Sequence, residues 1–378
     1  MTNVETNLSF FSALLWLITL LLPWQPWRIR EVLEHNTVDV LPDLSRITVV
    51  IPARNEADVI ATTLVALAKQ GNGLKIIVVD DNSEDATSEV VKQTEINNLE
   101  LIHAAPLPPD WTGKLWAQEQ GLNKVDTPYV LLLDADIELA PGLIQSAFNK
   151  LLQEDLQMVS LMAKLQFLTK WEKLLMPAFI YFFKMIYPFH LSNQQGSRVA
   201  AAAGGFILVQ TEVLKKIGGM AVIRDALIDD CSLAKQIKLA GYRTWTGLTH
   251  AVVSQRAYLN LKDIWEMVAR TAFTQLNYSL VLLIVCTFAL ILVYWVPVAG
   301  VVFFQGMAFW LSWFSLIIMA TTFLPTLRYY HLYSGWVLLM PLTAALYLLM
   351  TWSSAIRYWA GERSRWKGRV YQNPNDLI

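Results

Sequence analysis

Residues 131–139, LLLDADIEL, decide how this chain is read. The apolar run after Pro128 predicts a fully buried strand, and it delivers Asp134 and Asp136 at its carboxyl end, where an open α/β sheet places its ligands. Two carboxylates one residue apart at a crevice mouth can hold a hard divalent cation of the kind that bridges two phosphates of a nucleotide diphosphate. The same pattern also ends ordinary strands in exposed loops, so the surrounding sequence has to decide.

Immediately upstream the chain alternates strands with helices. ITVVIPARNE, from Ile47, predicts a buried strand ending near Pro52, and ADVIATTLVALAKQG predicts an amphipathic helix stopped by Gly71. LKIIVVDDNSEDAT predicts a second strand with Asp80 and Asp81 at its end, then a turn and a helix from about Asp85. Such alternation implies βαβ units. An acidic residue at this strand end can accept hydrogen bonds from a ribose or a base, and plain capping of the turn by Asn82, Ser83 or Asp85 explains the segment as well. The loop HAAPLPPDWTGKLWAQEQG places Lys114 just before a helix from about Leu115, suited to a phosphate or sugar contact or simply to solvent.

Downstream, AAAAGGFILVQTEVLKKIGG predicts a small-residue loop, a short strand and a helix, with Gly204 and Gly205 allowing close approach of whatever binds there. DALIDDCSLAKQIKLAGYRTW places Asp229 and Asp230 at a helix start, where the dipole favours charge and would keep the carboxylate pKa low. One of them could serve as a base if it faces the crevice. GYRTWTGLTHAVVSQ predicts a strand pair carrying His250, a core or surface histidine or a further metal ligand. LKDIWEMVARTAFTQL predicts a basic amphipathic segment with Lys262 and Arg270.

Composition places part of the chain in lipid: 378 residues are 54% hydrophobic, with 15 Trp and only 16% charged residues. A net charge of -1 supplies no basic field for nucleic acid. The two cysteines, Cys231 and Cys286, offer neither a disulfide framework nor a metal cluster. An uncharged anchor is predicted over 8–27, with Arg28 and Arg30 following it and no cleavage site in view. Residues 171–191, WEKLLMPAFIYFFKMIYPFHL, are apolar but interrupted by two prolines, Lys173, Lys184 and His190. A crossing there would separate Asp134 and Asp136 from Asp229 and Asp230, so the segment is expected to lie in the interface. The apolar runs Leu280–Trp295, Val298–Leu324 and Leu332–Ile356 predict transmembrane helices within 276–357. They carry no Asp, Glu, Lys or His, which argues against a transporter, the non-enzyme alternative; Arg328 lies in the break between the second and third runs. The basic tail, 358–378, should stay cytoplasmic by charge, whereas three crossings would leave it outside. A re-entrant segment would reconcile the two.

The ordered set IPARNE, VVDDNSEDAT, LLLDADIEL, the GGF loop and the IDD helix start resembles family 2 glycosyltransferases over about Ile47 to Phe273. With PWQPWRIREVL, DWTGKLWA and MVARTAFTQL added, the whole chain is similar to hopanoid-associated membrane glycosyltransferases of the HpnB group. The resemblance implies an α/β fold of GT-A type, a Rossmann-like mixed sheet spanning 46–275. It further implies inverting transfer of one sugar from a nucleotide-diphosphate sugar to a membrane lipid hydroxyl, with Mg²⁺ or Mn²⁺, at the cytoplasmic face of the inner membrane. In this comparison Pro52, Arg54, Glu56, Asp81, Lys114, Asp134 and Arg270 hold the donor. Asp136, with His250 as a possible second ligand, holds the metal, and Asp230, or Asp229 beside it, is the base. Gly204, Gly205, Trp366 and Arg369 face the acceptor. Processive polysaccharide synthases are the alternative; they carry Gln-x-x-Arg-Trp where this chain has Met267, Val268, Ala269, Arg270 and Thr271, without the acceptor-stacking tryptophan.

Overall fold

In the computed structural model, which describes residues 2–35, 41–367 and 369–372, the chain divides into two compact units. One comprises 31–166 and 189–257; the other comprises 1–30, 167–188 and 258–378. Gly368 and 373–378, part of the expected tail, lie outside the described residues, as does the side chain of Trp366.

Helix α1 (Thr2–Leu21) precedes the first unit, whose elements run β1 (Ile47–Ala53), α2 (Ile60–Ala68), β2 (Lys75–Asp80), α3 (Thr87–Gln93), β3 (Leu99–His103), α4 (Gly113–Leu122), β4 (Tyr129–Leu133), β5 (Ile137–Leu139), α5 (Leu143–Gln153) and β6 (Met158–Lys164). After α6 (Lys170–Ile186), which belongs to the other unit, it continues as α7 (Phe189–Ser192), β7 (Phe206–Gln210), α8 (Thr211–Ile217), α9 (Asp229–Leu239) and β8 (Thr244–Ser254). These strands form one eight-stranded mixed sheet in the order β3-β2-β1-β4-β7-β6-β8-β5. Strands β3, β2, β1 and β4 are parallel, and β7 turns the direction by pairing antiparallel with both β4 and β6.

Each sheet face carries its own apolar layer. Val49, Ile51, Leu131 and Leu133 point to the layer with Leu64 and Ile144, while Val50, Val130 and Leu132 point to the one with Leu115 and Leu233. Alternate residues of one buried strand thus feed opposite cores, as a period of two requires. Helix α4 sits so close to β1 that a Cβ on Gly121 would lie 2.5 Å from Val50 Cγ1. Pairing of β1 with β4 stops at Val50–Leu132, so Pro52, which has no N–H, interrupts no ladder there.

Three local readings differ from the sequence expectations. LLLDADIEL is two strands joined by a turn: β4 ends at Leu133 and β5 crosses over to pair antiparallel with β8. GYRTWTGLTHAVVSQ forms the single long strand β8, its centre pressed so tightly that a Cβ on Gly247 would collide with the Trp245 ring. Helix α4 starts at Gly113, which puts Lys114 inside its first turn.

The other unit gathers α1, α6, α10 (Leu261–Ala269), α11 (Ala272–Gln275), α12 (Leu280–Leu290), α13 (Val296–Phe303), α14 (Gly306–Tyr329) and α15 (Met340–Trp359), with the hairpin β9 (Glu362–Trp366) and β10 (Arg369–Gln372). A π-helical turn at Ile291–Trp295 carries α12 into α13, so the first apolar stretch runs through Pro297, which occupies the first turn of α13 where no N–H is missed, and breaks at Phe304–Gln305. Among the described residues, four helical stretches are long and apolar enough to cross a membrane: Asn3–Leu21, Leu280–Phe303, Gly306–Tyr329 and Ser334–Trp359. Helix α6 is fixed at its start by a capping box between Thr169 and Glu172, and its Tyr181 and Ala178 enter an apolar cluster with Trp16, Tyr294 and Phe323.

Candidate active site

Because β1, β2 and β4 run parallel, their carboxyl ends open on one edge, and the polar residues there come from three separate stretches of sequence. Asp81 is fully buried, its amide donating to Ala53 O at 2.8 Å. Arg54 is buried too; its guanidinium donates to Asp81 O (2.7 Å) and Asn82 O (2.6 Å) and pairs with Glu84 at 3.0 Å. Arg54 therefore shapes the turn that presents Asp81. Asn55 and Asn82 adopt positive φ (52° and 53°), a conformation asparagine tolerates at such strand exits. Asp80 has the capping role: it accepts from the Ser83 amide at 3.0 Å and from Ser88 Oγ at 2.6 Å.

The centre is a cluster of one lysine and three aspartates. Lys114 Nζ lies 2.9 Å from Asp134 Oδ1 and 2.9 Å from Asp229 Oδ2. Asp230 Oδ2 accepts the Gly204 amide at 2.9 Å and its Oδ1 the Cys231 amide at 2.7 Å. A Cβ on Gly204 would come within 3.1 Å of Lys114 Nζ, 3.6 Å of Asp230 Oδ2 and 3.8 Å of Asp134 Oδ2, so the glycine sits at the point where all three side chains converge. Gly205 supports the floor: its carbonyl accepts from the Asp134 amide at 3.4 Å, and a Cβ there would press on Ile137.

Three carboxylates around one ammonium make an electrostatically loaded cluster. Burial works against the Lys114 charge, but Asp134 and Asp229 outweigh it and hold its pKa above the usual lysine range. Burial pushes the Asp134 carboxyl up, Asp136 and Asp229 add to this, and Lys114 opposes them. Asp230 is pushed up to about 6 by burial and by the neighbouring Asp229 charge, against the pull of Lys114 and two backbone amides. The expectation of a low pKa at this helix start is corrected here: desolvation and a like charge outweigh the dipole of α9.

Asp136 lies on the far side of the turn. Its Oδ2 is 3.1 Å from Arg256 Nε and 3.4 Å from Ser254 Oγ, and Arg256 Nη2 reaches Glu56 at 2.9 Å. Asp134 and Asp136 act on each other electrostatically, and an all-oxygen set of one or two carboxylates with room for phosphate oxygens fits a small hard cation. His250 is not part of that set. The Asp136 carbonyl accepts from the Gln255 amide at 2.7 Å, and His250 lies five steps of roughly 3.3 Å back along the extended chain from Gln255. His250 Nδ1 instead meets Glu34 at 3.0 Å. Among the described residues no group of three or more His, Cys, Asp or Glu is arranged as a ready-made metal cage.

Arg256 and Ser254 escaped the sequence reading, although SQR follows directly on a strand whose end had to lie at the same edge. Of the other expected site residues, Arg270 follows the last residue of α10, Trp366 closes β9 and Arg369 opens β10, all in the helical unit.

Residues 48–218 match the profile of Glycosyl transferase family 2, which covers β1 through α8 and stops short of Asp229 and Asp230. Over 95 residues the chain is 32% identical to 4,4'-diaponeurosporenoate glycosyltransferase of Staphylococcus haemolyticus, a match covering 25% of this chain and 24% of that one. It is 31% identical over 106 residues to undecaprenyl-phosphate 4-deoxy-4-formamido-L-arabinose transferase of Pectobacterium atrosepticum, covering 27% and 32%. The match thus spans about a quarter to a third of these curated relatives. Among solved structures, the mannosyltransferase PcManGT from Pyrobaculum calidifontis, crystallised with GDP-Man and Mn²⁺, superposes with a TM-score of 0.53 at 19% identity over 93% of this chain and 98% of that one. Residues 48–218 are a glycosyl transferase family 2 domain, built on a mixed sheet of GT-A type.

Proposed function

We propose that the protein is an inverting glycosyltransferase that moves a single sugar from a nucleotide-diphosphate sugar to a lipid hydroxyl at the cytoplasmic face of a membrane. The observation that carries the reading is the cluster of Lys114, Asp134, Asp229 and Asp230 at the carboxyl edge of a family 2 sheet, with one carboxylate titrating close to neutrality. The buried turn at Asp81 receives the nucleoside, and Lys114 and Asp134 lie toward the sugar and phosphates. Asp136 would hold Mg²⁺ or Mn²⁺, with the donor's own phosphate oxygens completing the shell. The metal, when bound, neutralises charge on the departing diphosphate.

Asp230 takes the proton of the acceptor hydroxyl as its oxygen forms the new bond to the anomeric carbon and the bond from that carbon to the diphosphate breaks. A base with a pKa near 6 is mostly ionised at pH 7 yet holds a proton better than an ordinary aspartate, which suits general base catalysis. The aspartate–lysine pair fixes Asp229 away from this task, so the two neighbouring carboxylates take different roles.

The apolar helices of the second unit support a lipid acceptor, and a relative named for transfer to undecaprenyl phosphate points the same way. A hopanoid-type lipid follows from the sequence resemblance alone. On this reading 8–27 anchors the chain, 276–357 embeds it and 358–378 remains cytoplasmic. Purified protein incubated with a panel of nucleotide sugars and host lipid extract should yield a new glycolipid carrying one added sugar by mass spectrometry. Donor hydrolysis without any lipid product would defeat the proposal.

A further inference from the structure

The helical unit encloses a polar cavity of about 70 Å³ where α10, α15 and the hairpin meet. Arginine supplies most of its polar wall. Arg270 follows the last residue of α10, Arg357 lies in the last turn of α15, and Arg363 belongs to β9. Against these three cations the wall has two carboxylates, Glu266 and Glu362, so one positive charge is left over. The volume holds several waters or one group of phosphate size.

Donors outnumber acceptors in this wall. A guanidinium carries five N–H donors and accepts nothing. The Glu266 carboxylate is engaged by Arg357, whose Nη1 and Nη2 reach its two oxygens at 2.5 and 2.8 Å. Arg363 Nε donates to Tyr278 OH at 3.3 Å, which fixes that side chain from the α12 side. Ser354, only 7% exposed, accepts the Phe273 amide at 3.1 Å and so keeps its own hydroxyl proton to donate. A confined wall of cations and hydroxyl donors is costly to close on itself, and an oxyanion that only accepts hydrogen bonds is its complement.

The cavity sits at the depth of lipid headgroups. Leu280–Phe303 and Ser334–Trp359 are both long and apolar enough to cross a membrane. They run antiparallel: the rings of Tyr278 and Tyr358 stack with centroids 4.3 Å apart, and further along Trp352 Nε1 donates to Thr287 Oγ1 at 3.0 Å. One stretch therefore begins where the other ends, and the arginines stand at that shared end with Tyr278 and Tyr358, as in an interfacial belt. Apolar side chains are exposed next to them in the chain, Leu280 and Val281 at the start of α12 and Ile356 just before Arg357. A soluble anion needs no such surface, whereas the chains of a lipid do.

We propose that this cavity binds the phosphate of an anionic phospholipid headgroup, whose oxygens take the donors of Arg270, Arg357, Arg363 and Ser354 and whose acyl chains lie along Leu280, Val281 and Ile356. Basic pockets between membrane helices suit such headgroups, and the planar guanidinium fork matches the spacing of phosphate oxygens. Arg270, which the family resemblance alone gives to the donor, is a lipid ligand on this assignment. Occupancy of the site is independent of the reaction proposed above.

Native mass spectrometry of the full-length protein, delipidated in neutral detergent, tests the assignment. Dioleoyl phosphatidylglycerol is titrated against dioleoylglycerol, which carries only the chains, and inorganic phosphate, which carries only the anion. Wild type should retain a single phosphatidylglycerol, about tenfold more tightly than either control. Arg363→Gln should weaken that binding about tenfold, the worth of one charge-assisted hydrogen bond, while Arg363→Lys keeps most of it. Ser354→Ala removes a donor without altering any charge and should weaken binding severalfold; it carries the test if Arg363→Gln melts early in lipid-free detergent. Equal retention of phosphatidylglycerol and dioleoylglycerol, or undiminished phosphatidylglycerol binding in the folded variants, would overturn the site. Retention of inorganic phosphate as tight as that of the lipid would overturn it equally, since the cavity would then serve a soluble phosphate.

Discussion

Arg256 ties Asp136 to Glu56, with Nε 3.1 Å from one carboxylate and Nη2 2.9 Å from the other. The second aspartate of the D-A-D turn is thereby neutralised by a side chain from the end of β8, and Glu56, at the exit of β1, is drawn to the same point. A cation binding to Asp136 has to compete with this guanidinium, and the diphosphate it brings offers Arg256 a replacement partner. Metal and donor are therefore expected to bind together and weakly apart.

The first prediction follows from that competition. Asp136→Ala should abolish metal-dependent binding of nucleoside diphosphate by calorimetry and reduce turnover by at least two orders of magnitude. Arg256→Gln should strengthen binding of Mn²⁺ alone while weakening the donor several-fold. Wild-type turnover that survives a chelator would remove Asp136 from a metal role.

A second prediction concerns Gly204. The methyl of Gly204→Ala would stand 3.1 Å from Lys114 Nζ, the far end of a flexible side chain, so the fold can absorb it while the charge cluster cannot stay in place. Turnover should fall about ten- to a hundredfold with Tm lowered only slightly, a split read by comparing kcat with thermal denaturation. A large loss of stability with normal specific activity would make the glycine a packing residue only.

What the sequence showed of this fold is uneven, for physical reasons. The strands around Ile47, Lys75 and Tyr129 are short and apolar, with carboxylates following the last two, so the parallel half of the sheet, with Asp81 and Asp134 just past its strand ends, was legible from local pattern. Of the other half, the short strand at FILVQ was legible as a strand, but its neighbours β5 and β8 were not. Strand β5 is three residues long, and β8 carries a Trp–Gly contact in mid-strand that resembles a turn until the sheet is assembled. Arg256 was missed because only the β5–β8 pairing brings it to Asp136, and a lone arginine after a strand carries no periodic signal. The upward shift of Asp230 depends on burial and on Asp229, neither of which a helix-start pattern reports.

Product length gives a third prediction. Thr271, the residue before the short helix α11, stands where the sequence resemblance would place the stacking tryptophan of processive synthases, and its side chain offers no ring for a growing glycan. Mass spectrometry of the lipid product should find one added sugar, or very few, at any donor excess. A ladder of long oligomers made by this chain alone would favour the processive alternative.

The fourth prediction rests on Asp230, whose pKa is raised to about 6 by burial and by Asp229. As the base it must be ionised, so kcat/KM should rise with pH through about 6 and level off above, with a slope of one proton. Asp230→Asn should lose about two to four orders of magnitude in transfer, keep donor affinity, and lose that rise. Stability must move the opposite way. Below the ordinary aspartate value both folded and unfolded chains carry the proton, and no difference arises. Between that value and about 6 the folded chain holds a proton that the unfolded one has released, so stability falls as pH rises and the penalty is complete above about 6. Asp230→Asn removes the buried charge and should be more stable than the parent at pH 7.5, on the order of 1–3 kcal/mol, with the difference fading toward pH 4. Asp229→Asn provides the contrast, since it breaks the ion pair with Lys114 and should not be stabilised in the same way. Normal transfer by Asp230→Asn together with collapse in Asp229→Asn would move the base by one residue. A variant that loses both transfer and the stability gain would show that Asp230 is held as a structural acceptor for the Gly204 amide, and the inverting mechanism would need another base.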